Sequence, residues 1–319
     1  MLAGGLLLAL LLSGVLALAQ GQVWLNPFTA AGDGWQATIL WDIRLPRVLL
    51  AMAVGAVLGL SGAALQGLLR NPLADPGIVG VSACSAFGAV LVLYTGLASA
   101  AWFVLPLGGM LGAGLSVVLV YFLTGARSSL FSLVLAGMAV NAFVGALISL
   151  VLNVASNPFA MSEIVYWLLG SLANRSLYDV AIATPFMLFG SIVILATGRY
   201  LDALSLGDET ATSLGFEPAR WRWLVVGGVA CAVGAAVSVS GNIGFVGLVV
   251  PHLLRPLVGH RPRPLLWASA LGGALLLVLA DCLVQAISGR VELKLGVITA
   301  LIGGPFFLYL IVKSRSTDW

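Results

Sequence analysis

Charge is what this chain of 319 residues has least of: 8% of its residues are Asp, Glu, Lys or Arg, and 61% are hydrophobic. Soluble globular proteins carry about 25% charged residues, so nothing here reads as a soluble domain. The mean hydropathy is +1.09. A membrane-spanning helix takes about 20 apolar residues, and repeated runs of that kind make the chain a polytopic, all-α membrane protein.

Cysteine and histidine are scarce too. Cys84, Cys231 and Cys282 are the three cysteines; they are widely spaced and odd in number, which gives neither a disulfide framework nor a metal-ligand pattern. They read as small buried hydrophobes. His252 and His260 have no ligand partners nearby in sequence, so no metal site is expected. The chain contains no G-x-x-x-x-G-K-[ST], no H-E-x-x-H and no G-x-S-x-G. Its longest loops, 20–44, 153–177 and 199–221, are too short to fold into an ATPase or a ligand-binding domain. Uphill transport therefore needs a partner or an ion gradient. An ion-coupled carrier usually keeps acids inside the membrane, and Asp281 in LLLVLADCLVQ is the one candidate. It lies in the outer third of its span, where it is expected to reach polar surroundings. An intramembrane enzyme is disfavoured because the spans hold no paired His, Ser or carboxylate constellation.

What is present is a series of apolar runs. Ten spans are expected, at roughly 2–19, 45–66, 78–95, 103–124, 130–152, 178–198, 222–239, 244–258, 265–287 and 296–312. The first, MLAGGLLLALLLSGVLALAQ, has an ALAQ that resembles a cleavage site but no basic residue ahead of its apolar run; it is read as a retained span. Residues 159–172 are amphipathic and too short to cross, and read as an interfacial helix. Ten spans put both termini on one side. With both termini cytoplasmic, ten of the fifteen Lys and Arg residues face inward and five outward, as the positive-inside rule favours.

The stretch RNPLADPG, residues 70–77, interrupts two of these runs at the inner side. Asn71-Pro72 and Asp75-Pro76-Gly77 are turn-forming groups, and the two prolines disfavour helix at the residues before them. A helix ending at about Leu69 and a rigid turn follow. Beyond it, GVSACSAFGAV is dense in small residues, as are Gly55-x-x-x-Gly59 and Gly108-x-x-x-Gly112; these allow close helix approach in a membrane or line a passage.

R-L-P-R at 44–47, followed by A-x-x-V-G-A-x-L-x-L-S-G-A-x-L-Q-G-L-L-R-N-P-L-A-D-P-G-I-V-G-V-S, resembles the permease family of ABC importers for iron–siderophore complexes, haem and cobalamin. LSLGDETATSLGF (204–216), GNIGFVGLVVPHLLRPLVG (241–259) and ELKLGVITALIGGPFFLYLI (292–311) are similar to further segments of that family, in order. The resemblance implies one permease domain over 1–319, with ten spans. It also implies a homodimer in the bacterial inner membrane, with the translocation passage at the dimer interface. Two cytoplasmic ATP-binding subunits and a periplasmic substrate-binding protein are the implied partners, beside membrane lipid; no nucleic-acid partner is expected. No cofactor is bound by this chain, and ATP and Mg reside on the ATPase. An iron–siderophore complex is the first substrate expected, with haem and cobalamin next.

The same resemblance implies site residues. Residues 199–221 correspond to the segment that couples to the ATPase, through Leu206, Gly207, Asp208, Glu209, Ala211, Leu214 and Gly215. Asp208 and Glu209 suit a helix start and Gly215 a helix end; the short helix between is expected to present Ala211 and Leu214 to a groove on the ATPase. Arg44 and Arg47 correspond to residues that pair with carboxylates of the binding protein. Gln285 stands where the family has a third arginine, so Arg290 or Lys294 is expected to take its place. Asn71 and Leu73, with Leu130 and Phe131, correspond to the inner gate. Pro251 is expected to bend the eighth span, with His252 as a structural group beside it and Arg255 completing the motif.

Overall fold

The computed structural model describes residues 2–21, 23–30, 32, 34–125, 129–287 and 293–315. Helices dominate and no strand occurs among them. The elements run α1 (Leu2–Ala19), α2 (Trp35–Thr38), a π-helical segment (Ile39–Arg44), α3 (Leu45–Leu69), α4 (Val81–Tyr94), α5 (Val104–Thr124), α6 (Leu130–Val154) and α7 (Pro158–Leu168). They continue with α8 (Leu177–Ala196), α9 (Gly198–Leu204), α10 (Asp208–Ser213), α11 (Pro218–Ser240), α12 (Val246–Leu254), α13 (Pro262–Ile287) and α14 (Leu295–Arg315). Among the described residues, seven helices are long and apolar enough to cross a membrane, and α4 and α14 are shorter apolar helices. Nine of the ten expected spans therefore meet a helix of suitable character. The interfacial helix expected at 159–172 is α7.

The span expected at 244–258 is corrected. Only nine residues form α12, roughly 14 Å at 1.5 Å per residue against a hydrocarbon core of about 30 Å. Non-helical residues 241–245 precede it, and a 3₁₀ turn, Pro256–Val258, follows. Phe245 adopts a left-handed φ of 67° at the junction, a costly conformation for a bulky residue. Non-helical backbone at membrane depth survives only inside protein or along a cavity, and here it does both.

The bundle is built around α3 and α11, whose faces are buried on most sides. Glycines explain how α3 takes neighbours so closely. A side chain at Gly55 or Gly59 would strike the backbone of α13 at Gly273 and Ser269, and one at Gly62 would strike the Gly247 carbonyl of α12. Without strong hydrophobic drive between helices in lipid, such close packing is what holds them. Polar side chains inside the bundle turn back on the backbone: Ser13, Ser116, Ser238 and Thr197 each donate to a carbonyl three residues earlier. At one end of the bundle, Ser171 N–H donates to Ser240 O (2.8 Å) and Gly296 N–H to Gly170 O (3.2 Å). These bonds bring together the end of α11, the turn before α8 and the start of α14.

Candidate functional site

RNPLADPG folds into the tight turn its residues favour. Arg70 caps α3 with φ 49°. The Asn71 side chain accepts from Leu73 N–H at 2.9 Å, and that of Asp75 accepts from Gly77 N–H at 2.8 Å. Both are local side-chain turns that substitute for helix hydrogen bonds. Asp75 thereby caps the 3₁₀ turn Pro76–Val79, and Asn141 of α6 donates to Gly77 O. The loop is pinned at every step.

The turn is one wall of a cavity of about 680 Å³. Leu73, Asp75 and Pro76 line it on one side, Asn242 and Phe245 of the non-helical stretch on another, and Met138 of α6 on a third. Among the described residues Asp75 is the only ionisable one in this lining. Burial pushes its carboxyl up from the ordinary carboxylate range, and the Gly77 hydrogen bond pulls partly back. Its remaining exposure is toward the cavity. Leu73 also packs against Leu248, Val249 and Leu310. Of the expected gate residues, Leu73 is therefore at the cavity and Asn71 shapes the turn behind it. Leu130 and Phe131 are not in the cavity wall: they begin α6, and Phe131 is 77% exposed. The residues α6 contributes are Val134, Met138 and Asn141, one to three turns further on.

From the same end of α3 the chain reaches the expected coupling segment. Arg70 Nη2 lies 2.9 Å from Asp208 Oδ2, so the loop at the cavity and the first residue of α10 are joined by an ion pair. Gly207 (φ 118°) and Gly215 (φ 85°) bracket α10, conformations that glycine adopts freely. Leu206 and Leu214 stand out at 72% and 62% exposed, and Glu209 is exposed as well. Ala211 corrects the expectation that it is presented: it is 0% exposed, on the inward side of α10. Phe216 N–H closes the helix on Ala211 O (3.1 Å), and Phe216 packs with Tyr200 and Trp221 beneath it. The segment is thus an apolar two-leucine knob on a packed aromatic base.

The arginines at the other end of α3 have partners within the chain. Arg44 is 7% exposed; its guanidinium donates to the carbonyls of Leu18 and Ala19 (2.8 Å each) and of Val23, capping the C-terminus of α1. Arg47 grips Asp281 in bidentate fashion, with Nε 2.8 Å from Oδ2 and Nη2 2.9 Å from Oδ1. Gln285 adds a bond to the same carboxylate at 2.9 Å. Extending either guanidinium away from the chain would break these contacts. Asp281, expected in polar surroundings, is 2% exposed and neutralised by Arg47, so it is not a free intramembrane acid. Lys294 Nζ lies 5.6 Å from the centre of the Tyr166 ring, and Arg290 lies outside the described residues.

Sequence reasoning passed over Gln66. It is 1% exposed within α3, accepts from Arg255 Nη2 and donates to Gly247 O at 3.3 Å. It holds α12 against α3 where the helix is too short to hold itself. A Gln inside a long apolar run was the available signal. Among the described residues no group of His, Cys, Asp and Glu could hold a metal ion.

This helical membrane bundle, with its exposed two-leucine knob and a cavity walled by broken helix, is a transport permease by the family it matches, a transport component rather than an enzyme. The comparisons narrow the class: residues 6–313 match the FecCD transport family, and the chain belongs to it. It is 39% identical over 309 residues to the vitamin B12 import system permease protein BtuC of Vibrio cholerae, covering 95% of this chain and 91% of that one. It is also 39% identical over 295 residues to the Fe(3+) dicitrate transport system permease protein FecD of Escherichia coli, covering 91% of each. A solved ABC transporter assigned to the metal-chelate type, in an inward-facing conformation, superposes with a TM-score of 0.88 at 35% identity over 98% of both chains.

Proposed function

We propose that the chain is the membrane subunit of an ATP-driven importer for a bulky metal chelate, an iron–siderophore complex first, with haem or cobalamin next. It works as a homodimer in the bacterial inner membrane with both termini cytoplasmic, and the passage runs between the two copies. A separate ATPase pair supplies energy from the cytoplasm and a periplasmic binding protein delivers the substrate. The carrying observation is the exposed Leu206–Leu214 knob joined to the cavity loop through Arg70 and Asp208: a partner pushing on α10 moves the wall of the cavity. Family membership supports the rest. The rival reading, ion-coupled transport, loses its one acid to the Arg47 pair.

The test is to purify the tagged chain in mild detergent, identify what comes with it, and assay the assembly in lipid vesicles. An ATPase at one per chain, hydrolysis stimulated by a binding protein, and ATP-dependent uptake of a ferric siderophore are expected. Transport by the chain alone without ATP would overturn the reading. Gating is checked separately, with spin labels at position 73 of the two copies: a distance that does not change through the ATP cycle removes the gate assignment.

A further inference from the structure

Small residues hold α5 and α11 together along one half, and aromatic residues part them at the other. Gly109 lies against Ser238, and Gly234 against Ala113, closely enough that neither glycine has room for a side chain. Two turns further along α5, Tyr121 and Trp223 meet edge to face with ring centres 5.1 Å apart. Beside them the helices enclose a crevice of about 610 Å³ open to the outside of the bundle. Val117, Val118 and Phe122 wall it, and Glu217 and Arg220 stand at its mouth. Both charged side chains are exposed, and among the described residues neither has a hydrogen-bonding or ion-pair partner. On the outer face of α5, Leu111, Leu115, Val118 and Phe122 form one exposed apolar stripe, roughly 16 Å long at helical rise. It leads from the crevice toward the middle of the bundle.

We propose that this crevice is a binding site for one phospholipid whose headgroup carries a phosphate and a primary ammonium, the aminoethyl-phosphate type. The phosphate sits on Arg220 and the ammonium on Glu217. An acyl chain runs over Phe122 and Val118 and along the leucine stripe, and the Tyr121–Trp223 pair marks the membrane interface, where amphipathic rings settle. The paired charges select the headgroup. An arginine alone would accept any anionic lipid, but a carboxylate three residues away on the same helix start repels a headgroup with net negative charge. It rewards one that brings its own cation within reach. A primary ammonium donates hydrogen bonds to the carboxylate; a quaternary one has none to give. The apolar stripe and the placement of both charges at one end suit a lipid rather than a second protein helix, which would leave Arg220 and Glu217 at the rim.

The assembly as purified is exposed in detergent to equal amounts of phosphatidylethanolamine, phosphatidylcholine and phosphatidylglycerol, and bound lipid is read by native mass spectrometry. One phosphatidylethanolamine per chain is expected to be retained over the other two. Arg220→Gln and Glu217→Gln should each weaken retention about tenfold; Arg220→Lys should keep it, and Glu217→Gln should let phosphatidylglycerol in. Equal retention of all three lipids, or retention untouched by Arg220→Gln in a variant that elutes like the parent, overturns the proposal. So does crosslinking of Phe122→Cys to another protein chain in place of labelling by a thiol-reactive lipid. Bound lipid is read without any transport assay, so failure of the importer reading leaves this result standing.

Discussion

Two ion pairs fasten the ends of α3, and they differ in nearly every physical respect. At its start, Arg47 and Asp281 meet in a bidentate pair whose carboxylate is almost out of solvent and is bonded again by Gln285. At its end, Arg70 and Asp208 meet through one contact of 2.9 Å with both side chains well exposed. Breaking a buried pair strands a charge and costs about 3–5 kcal/mol; an exposed pair is worth about 0–1 kcal/mol. The same chemistry therefore serves as a lock at one end and as a releasable link at the other. The Arg70 end, which carries the cavity loop and the knob, is joined to α10 by the weaker of the two pairs.

The largest effect should come from the lock. Asp281→Ala removes the bidentate partner of Arg47 and should lower stability by about 3–5 kcal/mol, read as a fall in thermal unfolding temperature in detergent. Joint replacement of Arg47 and Asp281 by Met and Leu should recover most of that loss, and a single variant that melts with the parent would show that the lock is not one. Next comes Gly62→Val, which drives a side chain into α12 at Gly247; overpacking of this kind costs about 1–3 kcal/mol and should be visible in the same melting curve. Leu214→Asp should leave melting unchanged and weaken ATPase association about tenfold, as loss of one apolar anchor of an interface does. A partner that still copurifies in full would remove Leu214 from the contact.

Smaller effects sharpen the other side of the comparison. Arg70→Ala should cost under about 1 kcal/mol in stability yet lower substrate moved per ATP hydrolysed, and the exchange Arg70→Asp with Asp208→Arg should restore it. A ratio unmoved by Arg70→Ala would leave the pair a surface decoration. Asp75→Asn should do least. Because burial raises the Asp75 pKa above its unfolded value, the parent holds this contribution in acid and loses it as pH rises through the folded value. The Asn form keeps the turn-capping oxygen and escapes that loss, so its advantage in melting temperature should grow from acid toward neutral pH and be absent below the unfolded pKa.

Much of this was legible in the order of residues. RNPLADPG announced its turn, because Asn, Asp, Pro and Gly act on their own backbone within two or three positions. Asp208 and Glu209 marked the start of α10 and Gly215 its end by equally local chemistry. The mistakes fell where the answer lay elsewhere in the chain. Ala211 was assigned to the surface and faces inward, since a helix of six residues, under two turns, does not say which side it rests on. Leu130 and Phe131 begin α6, and it is Val134, Met138 and Asn141 that this helix turns to the cavity, a choice of face that no local signal gave. The intrachain partner of Arg47 was not legible because Asp281 is 234 positions away, and no local rule links them.

The sequence by itself determined that this is a helical membrane protein with no energy source of its own, where most of its helices begin and end, and which family it joins. Those follow from apolar run length, turn chemistry and motif order, all read along one dimension. Only the tertiary structure decided that α12 is half a crossing completed by non-helical chain, that Gln66 and Arg255 hold it, and that two arginines are bound to partners within the chain. Burial and pairing are properties of what lies alongside a residue in space. In a chain where nearly every segment is apolar, the side chain opposite is what sets whether a charge is a lock, a link or a contact.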